Sequence, residues 1–318
     1  MLTAIFQVNL NMLEIQGLSL RIENRTVFQN LSFKLKSGKI YGILGPSGVG
    51  KSSLLNIIAG FTDASHGKVA LNGVTLPKSS QRLIPGMHEI ALVSSTYNLD
   101  WNHTCLENIR EAILGWPTVK REKRVEQLLQ GLSLKKVGNT QAKYLSEGEK
   151  QRLSIARAIA INPQWLLLDE PLGHLDFIKK QELLHQLFNL GIYNVLMVSH
   201  EVQEMMGVCD EIAVFNTNGK LSKFAEPTKK YFDLTHLSSA KLLGPVNSMM
   251  WKGNRVHFRP TGFSVSSQGV ELKLLRSWFN GMLYVHCFLS ANQEEIILYH
   301  SLPLGPVVTI TPKADEFI

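Results

Sequence analysis

The stretch Gly45-Pro46-Ser47-Gly48-Val49-Gly50-Lys51-Ser52 completes the G-x-x-x-x-G-K-[ST] phosphate-binding pattern, and no other feature of the chain narrows its fold so far. Lys39 to Leu44 before it reads as a buried strand, and Ser53 to Ala59 after it as an apolar helix. The glycines therefore fall at a strand-to-helix turn, where backbone N–H groups converge on phosphate oxygens. Glycine suits the turn because a Cβ would block close approach and the positive φ angles. Lys51 supplies a cation for the β and γ phosphates and Ser52 a hydroxyl for Mg²⁺. The expected ligand is a nucleoside triphosphate, held on an α/β fold of the P-loop type.

A phosphate loop leaves the chemistry open, and a second strand narrows it. Leu166-Leu167-Leu168-Asp169-Glu170 is a short apolar run of the kind buried on both faces of a parallel sheet, and it ends in two carboxylates. Ligands of open α/β sheets bind at that carboxyl end. Asp169 is expected to hold Mg²⁺, directly or through water, and Glu170 to polarise an attacking water as general base.

The rest of the chain divides by texture. Met12 to Leu35 alternates in the manner of strands about a turn at Glu23-Asn24-Arg25, and Lys68 to Leu71 and Ile90 to Val93 read as further strands. The pattern is helical from Leu106 to about Leu132 and again from Glu149 to Ile161, where Asn162-Pro163 is a stop signal. Strands at Trp165 to Leu168, Val195 to Val198 and Glu211 to Phe215 enclose a helix from Asp176 to Leu190. After Leu243, short β-branched and aromatic runs are broken at Lys252-Gly253-Asn254 and Asn280-Gly281, the second a strong two-residue hairpin signal. The expected layout is a nucleotide-binding domain over 1–243, with a helical subdomain near 96–162, then a small barrel-like all-β domain over 244–318.

Composition excludes several classes. Hydrophobic residues make up 44% of the 318, no apolar run is long enough to span a bilayer, and Met1 to Leu10 lacks the features of a secretory signal. Met12 is an alternative start. Cys105, Cys209 and Cys287 are too few and too scattered for a disulfide framework or a zinc site, which favours a reducing compartment. The net charge of +7 raises the question of nucleic acid, but Lys120, Arg121, Lys123 and Arg124 alternate with Glu122 and Glu126, as on a solvated helix face. No nucleic-acid partner is expected, since no aromatic and basic interleaving builds a stacking platform.

Leu145-Ser146-Glu147-Gly148-Glu149-Lys150-Gln151-Arg152, placed before the carboxylate strand, resembles the LSGGQ signature of ABC-type ATPases. His200 in Val198-Ser199-His200 matches that family's switch histidine, and Leu175-Asp176 its D-loop, so the resemblance covers about residues 12 to 235. It implies an ATP- and Mg²⁺-dependent hydrolase whose two copies pack head to tail. The signature of one copy, here Ser146, Glu147, Gly148 and Glu149, would close over the triphosphate held by the other's phosphate loop. His200 would then contact the γ-phosphate.

The chain departs from the family pattern at several places. Ser95 stands where a glutamine helps coordinate Mg²⁺, Glu147 replaces the first signature glycine, Ile22 replaces the aromatic that stacks on adenine, and Gly173 replaces the D-loop serine. Glu147 brings a carboxylate near a triphosphate, which weakens closure unless a cation pairs with it or it turns outward. A functional but slow ATPase is the expectation.

Gly244-Pro245-Val246-Asn247, Val256-His257-Phe258-Arg259-Pro260 and the strands after them resemble the OB-like TOBE domain of importer ATPases in the molybdate, ferric iron, polyamine and sugar groups. The resemblance implies a homodimer on the cytoplasmic face of the membrane, working with integral permease subunits and a solute-binding protein. The substrate expected from it is an inorganic ion such as molybdate or ferric iron. The permease would meet the stretch from Tyr97 to Asn108, with Trp101 as a contact. Competing expectations are a soluble ABC ATPase acting on nucleic acid or ribosomes, and a degenerate regulatory nucleotide-binding subunit.

Overall fold

The structure, a computed structural model, describes residues 12–94, 96–170 and 177–313. The chain divides into two compact units, 1–227 and 228–318. In the first, β1 (Leu13–Ile22), β2 (Arg25–Leu35), β3 (Ile40–Leu44), α1 (Lys51–Ile58), β4 (His66–Leu71), β5 (Val74–Thr75) and β6 (Ile90–Val93) come first. A helical stretch follows, with α2 (Cys105–Glu111), α3 (Thr118–Gly131) and α4 (Glu147–Ile159). The unit continues through β7 (Trp165–Asp169), α5 (Phe177–Asn189), β8 (Val195–Ser199), α6 (Val202–Val208) and β9 (Glu211–Val214).

Two sheets result. β2-β1-β4-β5 is antiparallel, whereas β6-β7-β8-β3-β9 is joined by parallel pairings throughout. Strands β3, β7 and β8 are buried at every position, as continuous apolar runs at the centre of a covered parallel sheet must be. One apolar cluster joins the antiparallel sheet (Leu13, Ile15, Phe28), helix α1 (Leu54, Leu55, Ile58) and the parallel sheet (Ile43, Leu167, Val198). The phosphate loop thus leaves β3 and enters α1 from a fixed base.

The helix expected over Leu106 to Leu132 is two helices. α2 ends at Glu111 and α3 starts after Pro117, because proline disfavours helical backbone at the residue before it, Trp116. Thr104 caps α2, its hydroxyl accepting the Glu107 N–H at 3.2 Å while the Glu107 carboxylate accepts the Thr104 N–H at 2.8 Å.

The second unit takes in most of α7 (Pro227–Phe232), then α8 (Leu237–Leu243) and the strands β10 (Asn247–Trp251), β11 (Asn254–Phe258), β12 (Phe263–Phe279), β13 (Tyr284–Ser290), β14 (Glu295–His300) and β15 (Val307–Pro312). The all-β character expected after Leu243 is present, as a β10-β11 hairpin and an open sheet of order β14-β13-β12-β15. The compact unit begins before the expected 243/244 step, and Arg259 supplies the reason. Its buried guanidinium donates to the carbonyls of Tyr231 (2.7 Å), Ala240 (3.1 Å), Gly244 (2.9 Å) and Pro245 (3.1 Å), so both short helices are fastened to the residue that follows β11.

The two turns differ. Lys252 and Gly253 both have positive φ (49° and 81°) and close a two-residue hairpin, the backbone that right-twisted strands favour. The Asn280-Gly281 connection is longer than the expected two residues, running from Asn280 to Leu283. The Asn280 side chain accepts the N–H groups of Met282 (3.0 Å) and Leu283 (2.9 Å) and so stabilises the wider loop.

Candidate nucleotide site

The phosphate loop is built for a close approach. Gly48 and Gly50 have φ of 76° and 106°, and a Cβ on Gly50 would stand 2.5 Å from Val27 Cγ1. A Cβ on Gly45 would stand 2.6 Å from the Phe215 carbonyl oxygen. Val49 faces inward and is buried in the core, so it anchors the loop to the apolar cluster. Ser47, Gly48, Lys51, Ser52 and Ser53 line a groove with Ile22, Arg25 and Val27. Ile22 lines this groove, half exposed at the end of β1, while Arg25 and Val27 on β2 were not legible as site residues.

Lys51 is 5% exposed and donates through Nζ to the carbonyls of Gly45 (2.9 Å) and Pro46 (3.1 Å). Burial pushes its pKa below the usual lysine range, opposed by the nearby Glu170 and Asp169 charges. Ser52 Oγ donates to Asp169 Oδ1 at 3.0 Å. Burial pushes the Asp169 carboxyl up, against the pull of the Ser52 hydrogen bond. A hydroxyl and a carboxylate in this contact are the oxygen donors that suit Mg²⁺ among a few ligands and waters.

Glu170 lies just past β7 in left-handed backbone (φ 50°), uncommon for a residue with a Cβ, and its N–H donates to the Val198 carbonyl at 3.0 Å. That twist sets Glu170 Oε1 3.8 Å from Lys51 Nζ and 3.1 Å from His200 Nδ1. Lys51, Ser52, Asp169, Glu170 and His200 are therefore gathered at the carboxyl ends of β3, β7 and β8. Glu170 and His200 are both partly exposed, so the carboxylate is open to water. Ser95 and Asp176, expected near Mg²⁺ and in the D-loop, lie outside the described residues, as does Gly173.

The signature forms the start of α4. Ser146 donates its backbone N–H (2.8 Å) and its hydroxyl (2.7 Å) to Glu149 Oε2, and these bonds hold the Glu149 carboxyl below its usual range. Glu147 Oε1 accepts from Lys150 Nζ at 2.7 Å, and its Oε2 accepts the Tyr97 hydroxyl at 3.0 Å. The condition attached to this substitution, a cation for the extra carboxylate, is thus met within the chain. The sequence named neither partner: Lys150 lies one helical turn on, whereas Tyr97 is 50 positions away.

A family model described as ABC transporter matches residues 28–173, and its span takes in the phosphate loop, the signature and the Asp169-Glu170 pair. The chain is 34% identical over 262 residues to the spermidine/putrescine import ATP-binding protein PotA of Thermotoga maritima, across 80% of this chain and 69% of that protein. It is 32% identical over 256 residues to the sulfate/thiosulfate import ATP-binding protein CysA of Mesostigma viride, across 78% and 72%. The methionine import ATP-binding protein MetN 3 of Shouchella clausii is 27% identical over 326 residues, across 90% and 95%. Among solved structures, a bacterial Atm1-family ABC exporter with ATP bound matches with a TM-score of 0.59 at 24% identity, over 70% of this chain and 40% of that chain, a likeness of fold alone. The chain belongs to the ABC transporter family. Within it, the chain is an import-type ATP-binding subunit, an ABC ATPase that serves transport.

Proposed function

We propose that this subunit hydrolyses Mg-ATP as a head-to-tail homodimer and drives a membrane permease fed by a solute-binding protein. The observation that carries the proposal is the Glu170 carboxylate, exposed to water and held between Lys51 Nζ and His200 Nδ1. In this reading Lys51 and the N–H groups of Ser47 to Ser52 bind the phosphates, and Ser52 and Asp169 hold Mg²⁺. Bound Mg²⁺ neutralises charge developing on the phosphoryl oxygens. Glu170 accepts a proton from the attacking water, and His200 orients that carboxylate. Ser146 and Gly148 of the partner subunit's signature close the site, and Ile22 gives the base an apolar seat in place of an aromatic stack.

Among the described residues no helix is long and apolar enough to cross a membrane. In this reading the chain attaches at the cytoplasmic face through the permease. Trp101, exposed in the 97–108 stretch, is offered as a contact. The solute is an inorganic ion or a small polar solute, the classes named for CysA and PotA. Affinity purification from membranes tests the partner: an integral protein should come down with the chain and raise its ATPase rate. Recovery of the chain alone, or with salt-sensitive RNA, would refute the transport role.

A further inference from the structure

Helix α4 presents one face to the stretch where the permease is proposed to dock, and it grips that stretch at four successive points. Glu147, Lys150, Ser154 and Arg157 share a face by helical spacing. Glu147 Oε2 accepts the Tyr97 hydroxyl at 3.0 Å, and Lys150 Nζ lies 5.7 Å from the centre of the Trp101 ring. Ser154 Oγ donates to the Tyr97 carbonyl at 2.6 Å. Arg157 donates to Asn108 Oδ1 at 2.9 Å, and that buried side chain in turn accepts the Asp100 N–H at 2.9 Å.

The backbone at the gripped point is unusual. Tyr97 and Asn98 both have positive φ (65° and 49°), a conformation that persists only where surrounding contacts over-determine it. The two Tyr97 bonds reach α4 from opposite ends of the residue, carbonyl and hydroxyl. One of them exists only because position 147 carries a side-chain oxygen, since a glycine there has no side chain to accept it. The same carboxylate belongs to the signature turn, beside Ser146 and Gly148.

We propose that Glu147 is a positioning residue that couples the 97–101 loop to the signature turn, so that each responds to movement of the other. Its two carboxylate oxygens are divided between Tyr97 and Lys150, and Lys150 carries the link on to Trp101. The substitution that adds charge to the signature thereby gains a mechanical role that a glycine cannot have. This inference rests on the proposed dimer, because it is closure of the signature over a bound nucleotide that the loop would report.

Hydrogen–deuterium exchange of the 96–103 segment, with and without Mg-ATP, tests the coupling in the full chain. Four forms are compared: native, Tyr97→Phe, Glu147→Gly and Glu147→Gln, the last keeping an oxygen acceptor for Tyr97. Mg-ATP should slow exchange of the segment about fivefold or more in the native and Glu147→Gln proteins, the low end of coupling between linked sites. It should leave the segment unchanged in Tyr97→Phe and Glu147→Gly, although Mg-ATP still protects the phosphate loop in all four forms. A segment that ignores Mg-ATP in the native protein, or responds equally in all four, overturns the inference and leaves the ATPase assignment standing. Failure of the native chain to bind Mg-ATP would bring down both.

Discussion

In the proposed dimer two helix N-termini serve one triphosphate, and the chain prepares them in opposite ways. At the start of α1 no acidic residue occupies the first turn, Gly50 holds the cap position without a side chain, and Lys51 adds a cation. At the start of α4 the first turn contains Glu147 and Glu149, and Glu149 already accepts both donors of Ser146. A helix N-terminus carries a partial positive charge and free N–H groups, so either end attracts an anion. The first is left for a ligand; the second is occupied by the chain's own carboxylates. On the proposed reading the phosphate loop meets its ligand with an uncapped helix start, whereas closure by the signature must displace or outweigh internal bonds.

The largest effects should come from the open end. Lys51→Ala removes the cation around which the loop is wrapped, and hydrolysis should fall by about 10²–10³-fold, as when a preorganised charge-stabilising donor is lost. A steady-state ATPase assay beside a nucleotide-binding titration checks this, and binding should weaken as well. Glu170→Gln should lower the turnover by about 10²-fold or more, the range of a positioned general base, yet leave Mg-ATP binding near native. An unchanged rate would remove Glu170 from the chemistry and shift attention to His200.

The open end was also the legible one, and the reason is local. The phosphate loop and the Leu166–Glu170 run are contiguous, so pattern alone places Lys51 at the head of a helix and Asp169 at the end of a buried strand. Their junction through Ser52 needed only the rule that ligands gather at the carboxyl ends of parallel strands. The signature was legible as a motif but not as a structure. Tyr97 and Glu147 are 50 positions apart, and nothing in the spacing of either announces the other. Arg259 is a similar case: the Arg-Pro pair stood out, but only the fold shows four carbonyls from preceding segments turned onto its guanidinium. The break at Pro117 is masked in the sequence by the charged residues after it, which continue a helical rhythm.

At the closed end, Glu147→Gly should make the two helix starts more alike. Removing the carboxylate takes a like charge away from the incoming triphosphate, so the nucleotide-bound dimer should tighten by several-fold, of the order seen for single coupled contacts. Sedimentation velocity at saturating Mg-ATP, with Glu170→Gln as background to prevent turnover, reads the dimer fraction. A mixture no more dimeric than the parent would mean that the Glu147 charge is already offset within the chain, Lys150 contributing. The same variant gives up the bond to Tyr97, so tighter closure and a loop deaf to it should appear together.

The smallest effect tests what the open end costs the fold. Asp169 is held above its ordinary carboxyl value of 3.8, chiefly by burial, so the folded chain binds that proton more tightly than the unfolded one. Its contribution to stability is fully present below 3.8 and is lost as pH rises through the folded value. Lys51 is depressed below its ordinary 10.5, again chiefly by burial; its contribution is present above that value and is lost as pH falls through the folded one. In both cases burial works against the charged form in the nucleotide-free fold. Asp169→Asn keeps an oxygen to accept from Ser52 Oγ and removes the buried anion. In chelator and without nucleotide, its Tm at pH 7 should exceed the native value by about 2–4 °C, the shift that about 1 kcal/mol gives a domain of this size. The gap should narrow as pH falls toward the range where the native carboxyl takes up its proton, and hydrolysis should be lost at every pH. A lower Tm at pH 7 would show instead that the Lys51 charge depends on Asp169 more than burial penalises the carboxylate, and that the open end is a balanced pair.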